Sequence, residues 1–363
     1  MIRILLLALS VFSLVSSTEN LGKISVLPKG STAEVLIDQL KNQPDLITKE
    51  SILANYENMT PDEPPLFTNI TQLVFLSDYA PRGNYYAEKN AKRINYVSFT
   101  HFIVVPKFDE YEMKMDNVRV VGTKLINQTL IQNLRKANPN IKIVPRFACS
   151  KFTPDIVKMF VKTEWLVQRS AQTIANYCRE HGFDGVVFDC PTLLSKGIIA
   201  EERFFEDIHA VDLYRNMLET LEQVGNVIRK NGLIAIFSME PPVHLISLES
   251  EIFLLPPQFS RSVMNAYDFV HIWTDGNSNR PMNHQYSHDR FLEKIMKFFH
   301  YSPKLLVGFT FFGHKIPLDE YRKGGSEKKW ELIEYRSYLK VLKKDDAVLT
   351  FNEVNKEHEL TSE

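Results

Sequence analysis

Seven short apolar runs, rich in β-branched and aromatic residues, alternate with helical patterns along most of the chain. They fall at residues 73–76, 96–105, 141–147, 185–189, 233–239, 269–273 and 305–312. The helical stretches between them are marked by spacing and by stops. One holds Leu130 and Leu134 and ends at Asn138-Pro-Asn. Residues 164–179 place Leu166, Ser170, Ile174 and Tyr177 on one face ahead of Gly182. Leu213, Met217, Leu221, Val224 and Ile228 mark a third, closed by Asn231-Gly232, and a fourth lies near residues 291–299. Strands that read as continuous apolar runs are buried on both faces, and separating each from the next by a helix selects a parallel sheet. No Gly-rich turn follows the first run, so a nucleotide-binding open sheet lacks its phosphate loop. The expected fold is α/β, a TIM (β/α)8-type barrel incomplete at strand eight, with a short N-terminal extension.

The N-terminus reads separately. Arg3 is followed by an apolar run from Ile4 to Val15, with Val15 and Ser17 at the small-residue cleavage positions. Residues 1–17 are therefore read as a removed signal peptide, the run being too short for the ~20 residues that span a bilayer. The expected destination is secretion or a lysosome. Sequons at Asn58, Asn69 and Asn127 fit that route as glycosylation sites. Residues 18–68 form a polar extension, with an amphipathic pattern at Val35, Leu36, Leu40 and Ile47, and residues 69–363 form the barrel domain. Lys plus Arg number 43 against 44 Asp plus Glu, which leaves no basic excess for binding nucleic acid.

In a barrel of this type the side chains at the C-terminal strand ends face the mouth. That directs attention to Asp78, Arg146 with Phe147, Asp189, Glu240, Trp273 with Asp275, and Phe312. Any one of these serves equally as a cap, a loop ion pair or a core aromatic. Acids and aromatics converging on one rim suit a sugar. Carbohydrate contacts are expected from Phe147, Asp189, Glu240, Trp273, Asp275 and Phe312.

The segment from His181 to Pro191, with Asp184-Gly185 and Asp189 inside it, resembles the strand-four signature of the family 18 glycoside hydrolases, Asp-Gly-x-Asp-x-Asp-x-Glu. Tyr79-Ala-Pro-Arg-Gly-Asn, Met239-Glu-Pro-Pro and the run from Leu305 to Gly313 agree with that family in order, from about residue 70 onward. The resemblance implies a chitinase-like barrel in which a Glu at the end of strand four is the general acid and the substrate's N-acetyl oxygen the nucleophile. Here the acid position is Pro191, the innermost Asp position is Val187, and the strand-six Tyr position is Thr274. Loss of the acid alone removes roughly 10²–10⁴-fold of rate. The resemblance thus implies a chitin- or oligosaccharide-binding protein without catalytic residues. One alternative is a residual hydrolase using Asp189 with Glu240 or Asp275. Another is an interaction module recognised by a cell-surface or endolysosomal receptor.

The chain end departs from the family, in which strand eight carries a Trp. No Trp follows Trp330. A polar helix is expected near residues 328–342, and residues 347–351 either belong to a β insertion or close the barrel themselves. The histidines show no metal-binding spacing, so neither metal nor other cofactor is expected. Cys149, Cys178 and Cys190 are read as buried thiols.

Overall fold

The structure is a computed structural model that describes residues 2–6, 48–55, 71–76, 82–99, 101–109, 111, 114–190, 208–245, 251–253, 255–273, 288–308, 312–317, 331–352 and 357–362. Its strands are β1 (Ile2–Leu6), β2 (Leu73–Leu76), β3 (Tyr96–Phe99), β4 (His101–Phe108), β5 (Met115–Val121), β6 (Lys142–Ile143), β7 (Arg146–Ala148), β8 (Gly185–Asp189) and β9 (Ile234–Met239). They continue as β10 (Val243–Leu245), β11 (Glu251–Phe253), β12 (Phe269–Trp273), β13 (Leu305–Gly308), β14 (Phe312–Pro317), β15 (Glu331–Glu334), β16 (Val348–Asn352) and β17 (Glu357–Ser362). The helices are α1 (Lys49–Asn55), α2 (Gly83–Lys89), α3 (Gln128–Ala137), α4 (Pro154–Val161), α5 (Glu164–Glu180), α6 (Ile208–Lys230), α7 (Pro257–Ala266), α8 (His288–Phe298) and α9 (Tyr335–Leu342).

Parallel pairing runs from β2 through β3/β4, β6/β7, β8, β9 and β12 to β13. All the expected apolar runs thus become barrel strands, in chain order. Two of them are broken. Pro145 has no N–H, so the ladder skips it; Val144 N donates to Val97 O at 2.9 Å and Val187 N to Pro145 O at 2.9 Å across the gap. In the second strand Phe99 and Phe102 both face the helices although three residues apart, which strict alternation forbids, so its parity shifts between β3 and β4. β4 then runs past the barrel and pairs antiparallel with β5.

Two apolar layers sandwich the strands. Outside, α5 buries Leu166, Ser170, Ile174 and Cys178 against the sheet. Tyr177 is only partly buried; its hydroxyl donates to Thr123 at the rim. Inside, Val144, Val187 and Ile236 are fully buried and pack with Leu73, Phe75, Tyr96 and Phe269, filling the barrel with side chains. The N-terminal rim is clamped by acid or amide groups that precede strands. Asn95 Oδ1 accepts from Gln72 N at 2.8 Å, Asp184 Oδ2 from Ile143 N at 2.9 Å, and Asp268 Oδ2 from Ala235 N at 2.9 Å. Arg135 and Arg229 pair with the two aspartates at 3.0 Å and 3.3 Å.

The chain end builds a separate five-stranded antiparallel sheet in the order β15-β14-β1-β17-β16. Its second core joins Ile333, Tyr338, Leu342 and Leu360 with Ile52 of α1, and Lys49 Nζ donates to Lys344 O at 2.7 Å. Residues 347–351 therefore follow the insertion reading: β16 forms a hairpin with β17 and takes no place in the barrel. Among the described residues no strand lies between β13 and β2. The helix expected at 328–342 begins only at Tyr335, because Glu331–Glu334 is drawn out as a strand along β14. Ile2–Leu6, read above as part of a leader, pairs antiparallel with both β14 and β17, a role the leader reading does not foresee. The amphipathic pattern from Val35 to Ile47 lies outside the described residues. Among those described, no helix is long and apolar enough to cross a membrane.

Candidate functional site

Register fixes what faces the mouth. Arg146, Val187, Ile236 and Phe269 are aligned across neighbouring strands, as are Ala148, Asp189, Ser238 and His271 one step higher. Aligned residues share a face, and Val187 and Ile236 are interior, so both rows point into the barrel. Trp273, aligned with Gly308, forms the level above.

The interior polar groups bind each other. Arg146 Nε lies 3.0 Å from Asp189 Oδ2, without a well-directed N–H bond, so the contact is chiefly ionic. The Arg146 guanidinium carbon sits 5.5 Å from the centre of the Trp273 ring, within cation–π range. Burial pushes the Asp189 carboxyl up, Arg146 pulls it partway back, Glu240 raises it and His101 lowers it. Phe75 meets Trp273 at 5.1 Å and His271 at 4.8 Å, and His271 stands edge-on to Trp273 at 4.7 Å.

His271 Nδ1 and Ser238 Oγ are 3.1 Å apart, the spacing of a nucleophile and its base. Burial excludes that role. Ser238 is 1% exposed, and burial, with Arg146 adding, pulls the imidazole down to about 3, so it is a poor proton acceptor. The pair is a core hydrogen bond. Room for it comes from Gly308, where a Cβ would lie 2.5 Å from His271 Nε2.

Several expectations are corrected. Phe147 is fully buried on the helix side, packed on Phe102 at 5.3 Å and Tyr177 at 6.1 Å, so it lines no mouth; Arg146 takes the inward position instead. Phe312 does not end strand seven, which stops at Gly308; it opens β14 in the separate sheet. Cys149 and Cys190 are not thiols but a disulfide, Cα–Cα 4.8 Å, tying the mouth ends of strands three and four. Cys178 remains a buried thiol, its Sγ 3.7 Å from Gly185 O and pushed by burial up to about 12. Asp184, kept from the family signature, sits at the opposite rim with Arg135 and Lys142 and cannot reach the mouth.

Asp189 and Trp273 are where the sequence placed them, and Glu240 lies exposed just beyond β9. Asn127 is exposed and caps α3, its Oδ1 accepting from Leu130 N at 3.0 Å, which leaves Nδ2 to solvent. Asp78, Pro191, Thr274, Asp275, Asn58 and Asn69 lie outside the described residues. Sequence reasoning missed Phe75, Ser238 and His271. Ser238 and His271 sit two residues before Glu240 and Trp273, so alternation from those anchors would have found them. Among the described residues no group of three or more His, Cys, Asp and Glu side chains is arranged to hold a metal.

No protein-family model matches the sequence, and no curated protein matches it. Solved structures do. The Group IV chitinase of Ostrinia furnacalis, solved with allosamidin, is 11% identical with a TM-score of 0.58, covering 81% of this chain and 83% of that one. The family 18 chitinase of Cycas revoluta, in complex with (GlcNAc)3, gives 13% and 0.54, over 81% and 88%. A chitinase of Chromobacterium violaceum gives 12% and 0.54, over 80% and 85%. At such identities the likeness concerns the backbone alone. The strand order, the filled interior and these neighbours agree: the chain has the chitinase-like fold of glycoside hydrolase family 18.

Proposed function

We propose that the chain binds chitin-type or related oligosaccharides in the barrel mouth and does not hydrolyse them, and that it belongs to the branch of chitinase domain-containing protein 1, the stabilin-interacting chitinase-like protein. The observation that carries this is the state of Asp189. Glycoside hydrolysis needs an acid free to give up a proton beside a second carboxylate or the substrate's own N-acetyl group. Asp189 is instead engaged by Arg146, and the residue at the family's acid position is a proline. Trp273 and Phe75 retain an aromatic floor of the kind that sugar rings pack against. Two related neighbours were solved with (GlcNAc)3 or allosamidin, which supports the ligand class.

The Cys149–Cys190 disulfide supports an oxidising destination, secretion or the lysosome, since such bonds are rare in reducing compartments. The test is paired. Chitooligosaccharides should bind at millimolar concentration or below, while a fluorogenic chitobioside is not turned over. Turnover that disappears in Asp189→Asn would establish the hydrolase instead. A second reading, a module recognised by a receptor, is favoured by the five-stranded sheet, whose outer strands β15 and β16 have unpaired edges among the described residues. Capture of an endolysosomal or extracellular partner that free sugar does not compete away would favour it.

A further inference from the structure

Arg146 is the one cation built into the interior of the mouth among the described residues, and only part of it is spent. Its Nε faces Asp189 at 3.0 Å, while its guanidinium plane rests over Trp273. The side chain is 31% exposed, and the contacts seen for it among the described residues are the ionic one to Asp189 through Nε and the one to the Trp273 ring. Guanidinium presents five N–H donors in a rigid fork, and an edge not used by one carboxylate is shaped to take a second, side by side. Trp273 lies against the group, Phe75 and His271 pack on Trp273, and His271, held neutral by burial, has no charge to offer. Lysine in this place would be a point charge without the fork.

We infer that the mouth recognises a sugar bearing a carboxylate, a uronic-acid-type unit, which docks bidentate on the outward edge of Arg146 with its ring against Trp273. Asp189 holds the guanidinium from the other side, so the arrangement is carboxylate, guanidinium, carboxylate. The opposing charge is Glu240, exposed at the rim; it sets a limit on affinity and marks where relief is available. This inference deepens the oligosaccharide-binding reading and rests on it.

The experiment is calorimetric titration of the full chain with tetragalacturonate and with chitotetraose, at ~50 mM and ~500 mM NaCl, where screening separates ionic from neutral recognition. Tetragalacturonate is expected to bind about tenfold more tightly than chitotetraose at low salt and to lose that margin at high salt. Arg146→Lys should cost the acidic ligand about tenfold and the neutral one less than about twofold, because only the fork is lost. Glu240→Gln, a surface change, should strengthen the acidic ligand several-fold. Equal or tighter binding of chitotetraose, with tetragalacturonate indifferent to both substitutions, overturns the carboxylate inference and leaves sugar binding standing. Binding of neither ligand overturns both.

Discussion

Breaking the Cys149–Cys190 bond is a perturbation whose cost follows from the chain's own spacing. The two cysteines are 41 residues apart in sequence, and the bond closes a loop of that length in the unfolded chain. Loop-closure entropy for that length amounts to about 4 kcal/mol at 25 °C. In the folded state the sulfurs bridge strands three and four, already joined by the ladder from Arg146–Val187 to Ala148–Asp189. The native geometry therefore survives without the bond, and the loss falls almost wholly on the unfolded side. For a domain of this size each kcal/mol moves the melting temperature by roughly 2–4 °C, so the paired Cys149→Ala, Cys190→Ala variant should melt on the order of 10 °C lower. The assay is differential scanning calorimetry of wild type, variant and reduced wild type, with a thiol titration of the denatured chain. One reactive thiol before reduction and three after are expected, given Cys178 as the free cysteine. Three thiols before reduction, or a variant that melts with the wild type, would refute the argument.

Three more outcomes are expected. His271 is held neutral with its folded value near 3 against 6.5 unfolded, so its contribution is complete above about pH 6.5 and drains away as the pH falls below it; Asp189, pushed up by burial, works in the opposite direction. The melting temperature of wild type should therefore drop between about pH 6.5 and 4 more steeply than that of His271→Gln, and parallel profiles would discard the assignment. Gly225→Ala should destabilise, although alanine is ordinarily better in a helix by about 1 kcal/mol, because the added Cβ would lie 2.7 Å from Ala266 O where α6 crosses α7; a rise in denaturation midpoint would contradict the packing. Thr129→Ala should remove any glycan at Asn127 by mass without lowering stability, whereas Asn127→Gln should lose both the glycan and about 1 kcal/mol of helix cap; equal stability of the two variants would show that the cap contributes nothing.

The strands were legible because nearly every one is buried on both sides and has to be apolar throughout, as at Gly185–Asp189 and Phe269–Trp273, whose bounds agree with the sequence reading. Which face a strand residue takes was harder to read. Alternation runs unbroken through Pro145, with Val144 and Arg146 inward and Ile143 and Phe147 toward the helices, but in a run apolar on both faces the sequence does not say which set is which; an aromatic at a strand end looks like a sugar contact until the ladder assigns it to the helices. The Cys149–Cys190 bond was hidden for a related reason, since strand adjacency does not say that both side chains lean toward one another. At the chain end the pattern was ambiguous between closing strand and insertion, because a short β-rich run such as Val348–Asn352 fits either, and only its antiparallel pairing decides.

The rim clamps at Asn95, Asp184 and Asp268 have a consequence for how the molecule comes apart. Each joins one strand to the next: one to two, three to four, five to six. Other seams carry rim bonds as well, Asn138 Nδ2 donating to Ile94 O at 3.1 Å between strands two and three and Lys304 Nζ to Tyr267 O at 3.0 Å between strands six and seven, so among the described residues the seam between strands four and five is the one without such a side-chain bond. Hydrogen exchange would then divide at the seam between strands four and five, strands one to four and strands five to seven each detaching as a unit with their intervening helices. Within the first unit, strands three and four, which are also stapled at the top by sulfur, would be the last to surrender their protons. Strand seven, bound to the base of strand six through Lys304, would open with strands five and six rather than ahead of them.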